Sequence, residues 1–451
     1  MNRIIRNDGR VIYTQTRLTK YQKEAGGLML IGTFLEYFDL MLYIHMAVLL
    51  NYLFFPKQDP FTTSLFVSFT FCITYIFRPM GALLFGWLGD NIGRKTTVII
   101  TTFIMTISCS IMATLPTYVE IGAISSCIML LCRIMQGVAS MGEIVGAELY
   151  LTETIRPPIQ YPVVASVAVF GVMGGTFALV VATFITTLDL NWRYAFVLGG
   201  MIAFIGFIAR TTLRETPDFA DAKRRIAHVI EDVGEDAEIL KKSPIWQKKV
   251  NKTTALSLFL IQCSYPLIFY FSYIHCATIL EDSFGFTPQQ IIRQNLIVSF
   301  VQVIALSFCA YLSYKIYPLK ILKVKLVITT ILFLICPYLL DNITSSFQLL
   351  LIQLLFISFV PSTGPALPVF YSHLPVFKRY TYGCFMYALG RTVTYTVTSF
   401  GLIYLVYYFN NWGVLFIALP ILCGYKFGIS HFENLEKESG NYQKNENFFC
   451  L

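Results

Sequence analysis

Apolar runs long enough to cross a bilayer recur along this chain, each bounded by charge, proline or glycine. They fall at residues 26–53, 62–87, 96–115, 121–152, 161–187 and 194–213, and, after a polar stretch, at 253–277, 291–312, 322–340, 347–371, 381–408 and 412–429. A helix needs about 20 apolar residues to cross a hydrocarbon core of about 30 Å. Within lipid every backbone N–H and C=O must find its partner inside the segment, which a helix provides. The pattern therefore predicts an all-α membrane protein of twelve transmembrane helices in two sets of six. Composition agrees, with 56% hydrophobic and 13% charged residues against about 25% charged in soluble domains.

Lys and Arg test the helix count, because they accumulate on cytoplasmic loops. With the N-terminus placed inside, the inner segments hold 28 of the 34 basic residues, and the outer loops hold three: Lys57, Arg193 and Arg293. The other three, Arg78, Arg133 and Arg391, fall inside helices. One missed span would invert every later loop, so an asymmetry of 28 to 3 supports twelve helices with both termini cytoplasmic. The chain then divides into an N-terminal segment 1–25, a six-helix bundle 26–213, a linker 214–252, a second bundle 253–429 and a tail 430–451.

The formal charge of +8 does not imply a nucleic-acid partner, since the basic residues lie between apolar runs and not in one patch. Six of them precede Gly26, and the run that follows exceeds the about 7–15 residue core of a signal peptide. The first helix is thus expected to be retained. Eleven cysteines are scattered without a C-x-x-C pair or metal-ligand spacing, so no metal is expected. No G-x-x-x-x-G-K-[ST] run offers a nucleotide site, and no nucleophile–base set appears. The chain does not read as an enzyme, and no cofactor is expected beyond the proton as a coupling ion.

Between the second and third runs stands a charged tight turn, Gly86-Trp87-Leu88-Gly89-Asp90-Asn91-Ile92-Gly93-Arg94-Lys95. It resembles the signature loop between helices two and three of the major facilitator superfamily. Gly32-Thr33-Phe34-Leu35-Glu36-Tyr37-Phe38-Asp39, Phe54-Phe55-Pro56, Arg78-Pro79-Met80-Gly81 and Arg133-Ile134-Met135-Gln136-Gly137 narrow the resemblance to the metabolite:proton symporter family. So do Gly142-Glu143, Gly146-Ala147, Trp192-Arg193 and Glu215-Thr216-Pro217-Asp218-Phe219. That family includes proline/betaine transporters and carriers of citrate, 2-oxoglutarate and shikimate. The likeness covers roughly residues 26–220; the second half shares only the layout.

The resemblance implies two pseudo-symmetric bundles working by alternating access, with proton-coupled symport of a small organic solute. A zwitterion of the proline/betaine type is favoured. A small carboxylate of the dicarboxylate or citrate type is the close alternative, and a membrane sensor that binds without transporting is an alternative of another class. It implies a multi-pass monomer in the lipid bilayer of the cell membrane, the inner membrane in a Gram-negative bacterium. Asn91, Met141 and Tyr194-Ala195 depart from the family pattern. The tail is too short for the coiled coil of some osmosensing relatives. Helix five has Gly171, Gly174 and Gly175 with no proline after a glycine, unlike antiporters of the superfamily, which favours symport.

Ionisable groups inside a membrane cost several kcal/mol by some scales and are functional candidates by default. Here Glu36, Asp39 and Glu143 face Arg78, Arg133 and Arg391. Glu36 and Asp39 share one helix face near the midplane. Arg133, Gln136, Ser140 and Glu143 project within an arc of about 80° on helix four, so this face is expected to line a cavity. Asp39, with Glu36 second, reads as the proton carrier, with Arg133 as its partner and as the fork for a solute carboxylate. Glu143 is a further candidate for proton coupling, read equally as a structural group, and Asp39, Glu36 and Arg133 also read as ion pairs locking the bundle. Arg78 reads as structural, beside the backbone carbonyl that Pro79 frees.

Gln136, Gln262, Tyr265, Asn295 and Arg391 are candidates for the rest of the solute site, with tyrosine faces for a quaternary ammonium. Gly86, Gly89, Asp90, Gly93, Arg94 and Lys95 are expected to form a cytoplasmic gate. Pro361, Gly364, Pro365 and Pro368 mark a broken helix ten, read equally as a flexible gate or a loop.

Overall fold

The computed structural model describes residues 2–5, 11–55, 60–91, 94–141, 144–211, 250–375 and 378–440. Among these the helices group into twelve rods. The first six are α1 (Lys20–Phe54), α2 (Pro60–Ile76 continued by Arg78–Asn91), α3 (Arg94–Thr114), α4 (Ala123–Ala139 continued by Ile144–Thr154), α5 (Gln160–Thr187) and α6 (Arg193–Thr211). The second six begin with α7, built from Lys252–Gln262, Ser264–Tyr270, a π-turn Phe271–His275 and Cys276–Phe284. Then follow α8 (Pro288–Lys315), α9 (Pro318–Asp341), α10 (Ser346–Ser358 and Leu367–Ser372), α11 (Arg379–Phe409) and α12 (Gly413–Glu438).

These rods are the twelve runs of the sequence. Their starts are set locally. Capping boxes close the first turns of α1, α8 and α10, with Thr19 and Gln22, Thr287 and Gln290, and Ser345 and Gln348 exchanging bonds, so orphan N–H groups are satisfied before the chain enters lipid. Outward faces carry large apolar side chains, such as Ile304, Phe308, Val324 and Tyr338, which a bilayer accepts and water does not.

The ends differ from expectation. Two short strands, Asn2–Ile5 and Val11–Thr14, pair antiparallel ahead of α1, which begins at Lys20, six residues before the apolar run. α12 runs past Ser430 to Glu438, because Glu433 pairs with Lys323 and Lys437, and Glu436 with His373 and Tyr317. The linker residues 214–249 lie outside the described residues.

Glycine sets how closely α2 and α4 approach. A Cβ at Gly81 would sit 2.2 Å from the Val138 carbonyl oxygen, and one at Gly137 would sit 2.0 Å from that of Thr74. Each helix thus presses its backbone into the other where only hydrogen fits.

Three interrupted rods hand their loose carbonyls to neighbours, as buried backbone must. Pro79 leaves the Tyr75 carbonyl without its helical donor, and Thr392 of α11 supplies one at 2.6 Å. The break in α10 frees Phe359 and Val360, whose carbonyls accept from Thr329 at 2.9 Å and Lys325 at 3.2 Å. At the π-turn, Ser272 and Tyr273 accept from Gln353 at 2.7 Å and Asn295 at 3.4 Å.

The two sets of six meet along α1, α2, α4 and α5 on one side and α7, α8, α10 and α11 on the other. Thr176 and Ser299 hydroxyls meet at 2.6 Å, and those of Tyr37 and Tyr387 at 3.0 Å. Nearer the chain termini, Arg379 pairs with Glu153 at 3.1 Å and Tyr371 donates to Glu148 at 2.9 Å.

Candidate functional site

Three arginines lie buried at this meeting surface: Arg78 from α2, Arg133 from α4 and Arg391 from α11. Each guanidinium lies over a tyrosine ring, Arg78 on Tyr75 at 4.3 Å, Arg133 on Tyr43 at 4.2 Å and Arg391 on Tyr387 at 3.4 Å. Tyr75 is the hub, within electrostatic range of all three guanidiniums. Its ring stacks across the interface on Tyr395 at 4.1 Å, and Phe71 closes edge-on against Tyr270 and Tyr395.

A cation over an aromatic face gains about 2 kcal/mol when desolvated, but ring faces do not replace hydrogen bonds for five N–H donors. Arg133 donates one bond, from Nη1 to Gln136 at 2.9 Å. The Nε and Nη2 atoms of Arg78 and of Arg133, and Nη1 of Arg391, are buried with no hydrogen-bond partner among the described residues. Buried donors left this way are rare and costly, and guanidinium forks match carboxylates. In the closed arrangement tyrosine rings cover this cluster, and its donor set is complementary to an anion.

The structure also locates the carboxylates. Asp39 is buried inside the first six helices, where its Oδ1 lies 3.3 Å from the Cβ position of Gly199 on α6. It approaches Cys109 of α3, the thiol to which Gln136 donates at 3.5 Å. Arg133 reaches the same face of α1 one turn further along, at Tyr43. Glu36 is buried on α1 one turn before Asp39. The predicted partner of Arg133 was Asp39; its hydrogen bond here goes to Gln136. Glu143 lies outside the described residues.

The other predicted solute residues divide into two groups. Tyr265 joins the arginine cluster, with its ring 5.8 Å from Arg391 and its hydroxyl accepting from Gln302 at 3.1 Å. Gln262 is buried against Gly390, where a Cβ would stand 2.9 Å from that of Gln262. Asn295 serves the π-turn of α7, and its Oδ1 is buried without a hydrogen-bond partner. Arg78 does not hold the carbonyl freed by Pro79, which Thr392 takes; its guanidinium joins the cluster instead.

Of the expected gate, Gly86 faces the start of α11, with Thr381 3.8 Å from its Cβ position. Gly93 and the side chains of Asp90, Arg94 and Lys95 lie outside the described residues, as do the surroundings of Gly89. The described contacts on that face come from elsewhere: Glu148 with Tyr371, and Glu153 with Arg379. Both glutamates are visible in the sequence as acids at the end of an apolar run, a signal weaker than a charge at the run's middle. Tyr43, Tyr75 and Tyr387 carried no signal among 27 tyrosines.

Two six-helix sets closing over a buried cationic cluster define a multi-pass membrane protein with the architecture of a solute carrier. The chain belongs to the Major Facilitator Superfamily, a superfamily of transporters, which residues 29–393 match. An inner membrane metabolite transport protein of Escherichia coli is 34% identical over 208 residues, 44% of this chain and 47% of that protein. A proline/betaine transporter of the same organism is 32% identical over 197 residues, 42% of this chain and 39% of that protein. The chain thus spans about half or less of the curated relatives it matches. The solved structure of the proton:xylose symporter XylE aligns with a TM-score of 0.68 at 14% identity, covering 89% of this chain and 94% of that one. This likeness concerns the fold alone.

Proposed function

We propose that the protein is a secondary carrier that moves a small carboxylate-bearing solute across the cell membrane by alternating access, together with protons. One observation carries the reading: five buried guanidinium nitrogens, shared among Arg78, Arg133 and Arg391, have no hydrogen-bond partner among the described residues. A solute carboxylate would take those donors and draw the guanidiniums off their tyrosines. Proline and betaine each present one such group, in keeping with the names of relatives at 32% identity. Asp39, with Glu36 behind it, is the assigned proton site, enclosed a turn from the ring that bears Arg133.

A second reading, a dicarboxylate or citrate-like solute, is favoured by the spread of the bare donors over both halves, Arg78 and Arg133 on one and Arg391 on the other. Uptake into proteoliposomes decides, using radiolabelled proline, glycine betaine, succinate and citrate, with and without an inward proton gradient. Gradient-driven accumulation of one of them, lost in Asp39→Asn, is the expected result. Binding without accumulation would make the protein a sensor, and accumulation indifferent to the gradient would remove the proton.

A further inference from the structure

The short second part of α10, Leu367–Ser372, is fastened on two sides. On one side the Tyr371 hydroxyl donates at 2.9 Å to Glu148 of α4, in the opposite bundle. On the other, the capping residue His373 brings Nε2 to 2.8 Å from Oε1 of Glu436, near the end of α12 in its own bundle. The Tyr317 hydroxyl, just ahead of α9, donates to the second oxygen of Glu436, also at 2.8 Å. Both carboxylate oxygens are thus held, and the Glu436 side chain is 4% exposed against 17% for His373. The interruption at 359–366 separates this piece from the rest of α10, so its position rests on these side-chain ties. Other ionisable groups gather around them. His431 of α12 shares the Phe432 ring with His373 and lies 3.0 Å from the Thr254 hydroxyl of α7. Glu433 is paired with Lys323 of α9 and with Lys437. Tyr161 of α5 stands edge-on to Tyr317 at 6.4 Å. Arg379 of α11 donates from Nη2 to the Leu374 carbonyl at 3.3 Å and pairs with Glu153. The lysines are engaged by Glu433 and the arginine by Glu153, so the contact that brings a positive charge to Glu436 is that of His373.

We propose that His373 is a pH sensor: its protonation locks the end of α10 to α12 and holds the two bundles together where α12 ends, the side that the count of Lys and Arg assigns to the cytoplasm. The inference rests on the proton-coupled alternating access proposed above and adds its regulation. Neutral His373 gives Glu436 an ordinary hydrogen bond, whereas the imidazolium gives a charge-assisted one roughly twice as strong. Histidine changes charge between about pH 5 and 8, and a carboxylate partner favours the charged form. The tie is therefore strongest in acid and weakens as pH rises through that range. Fixing His373 fixes Tyr371, two residues away, against Glu148. Protons admitted with the solute acidify the receiving side, and the lock then slows further entry. Protonation of one histidine at an interface is enough to bias such a two-state element.

The test uses the whole chain in proteoliposomes, with Cys127, Cys423 and Cys450 replaced by serine. Cys384 of α11 reports opening, because its buried thiol donates to the Met141 carbonyl of α4 at 3.7 Å and meets maleimide as α4 and α11 part. Its labelling is read by mass spectrometry between about pH 5 and 8, and each rate is divided by that of His373→Gln at the same pH, which removes the titration of the thiol itself. The ratio is expected to fall about fivefold toward acid. His373→Arg, a fixed cation, is expected to label slowly throughout, and His431→Gln to keep the parent's profile. A flat ratio overturns the proposal, as does a profile that disappears in His431→Gln. If His373→Gln does not fold, His373→Arg is the reference, and a parent that does not outpace it toward alkaline pH overturns the proposal equally. Exchange of radiolabelled proline, glycine betaine, succinate or citrate is measured on the same vesicles. Exchange of none of them beside an intact labelling profile overturns the carrier reading alone, and exchange beside a flat ratio overturns the sensor alone.

Discussion

The Thr392 hydroxyl of α11 donates at 2.6 Å to the carbonyl of Tyr75 in α2, and shares its proton with Ala388 of its own helix at 2.9 Å. The Tyr75 carbonyl needs a donor because Pro79 offers no N–H. Proline in one bundle and threonine in the other are thus two halves of a single contact, beside the ring around which the three arginines gather.

Removing that donor strands a buried carbonyl, which costs about 1–3 kcal/mol. Thr392→Val is expected to lower the melting temperature in detergent, and Pro79→Ala in the same chain to recover part of the loss by restoring the helical N–H. A double variant no more stable than Thr392→Val alone would show that the carbonyl is satisfied in another way.

Arg391→Lys keeps the charge but loses the flat fork and its stacking on Tyr387. If Arg391 grips a carboxylate, affinity for the transported solute falls by about tenfold or more, equivalent to about 1.4 kcal/mol, while melting changes little. Equilibrium binding to the purified protein is the measurement, and an unchanged dissociation constant would remove Arg391 from the solute site.

Gly137→Ala forces a methyl group to within 2.0 Å of the Thr74 carbonyl oxygen. Overpacking of this kind costs about 1–3 kcal/mol. The effect should appear as lower melting temperature, whereas Gly27→Ala, with nothing within 4 Å of its Cβ position, stays within about 0.5 kcal/mol of the parent. Equal behaviour of the two would contradict the close approach of α2 and α4.

The Arg379–Glu153 pair joins α11 to α4, and Cys384 is buried in α11 five residues beyond Arg379. Breaking a half-buried pair is worth about 1 kcal/mol, roughly a fivefold shift in population. With the exposed Cys127 and Cys423, and Cys450 of the tail, replaced by serine, Glu153→Gln is expected to speed maleimide labelling of Cys384 by a few fold. A charge exchange, Glu153→Arg with Arg379→Glu, should slow it again; labelling that is the same in all three would show that the pair does not hold α11 to α4.

Much of this architecture is legible in the sequence because its causes are local. The length of each apolar run, the alternation of Lys and Arg between loops and the Thr-x-x-Gln and Ser-x-x-Gln starts of α1, α8 and α10 depend on near neighbours and on the bilayer. Arg78, Arg133 and Arg391 announce themselves for the same reason: a cation in an apolar run is conspicuous. α12 ran past its expected end because Lys323, His373 and Tyr317, remote in the chain, gather around Glu433 and Glu436.

The sequence by itself therefore determined the number of helices, the family motifs of the first half and which arginines fall inside apolar runs, since hydropathy and spacing act along the chain. Only the tertiary structure decided partners. It set Arg133 on Tyr43 and Gln136, gave the Tyr75 carbonyl to Thr392, and joined Glu148 to Tyr371. Such pairings depend on which faces of separate helices meet, and that follows from packing over the whole molecule, including glycines at 81 and 137 that bring two backbones within reach.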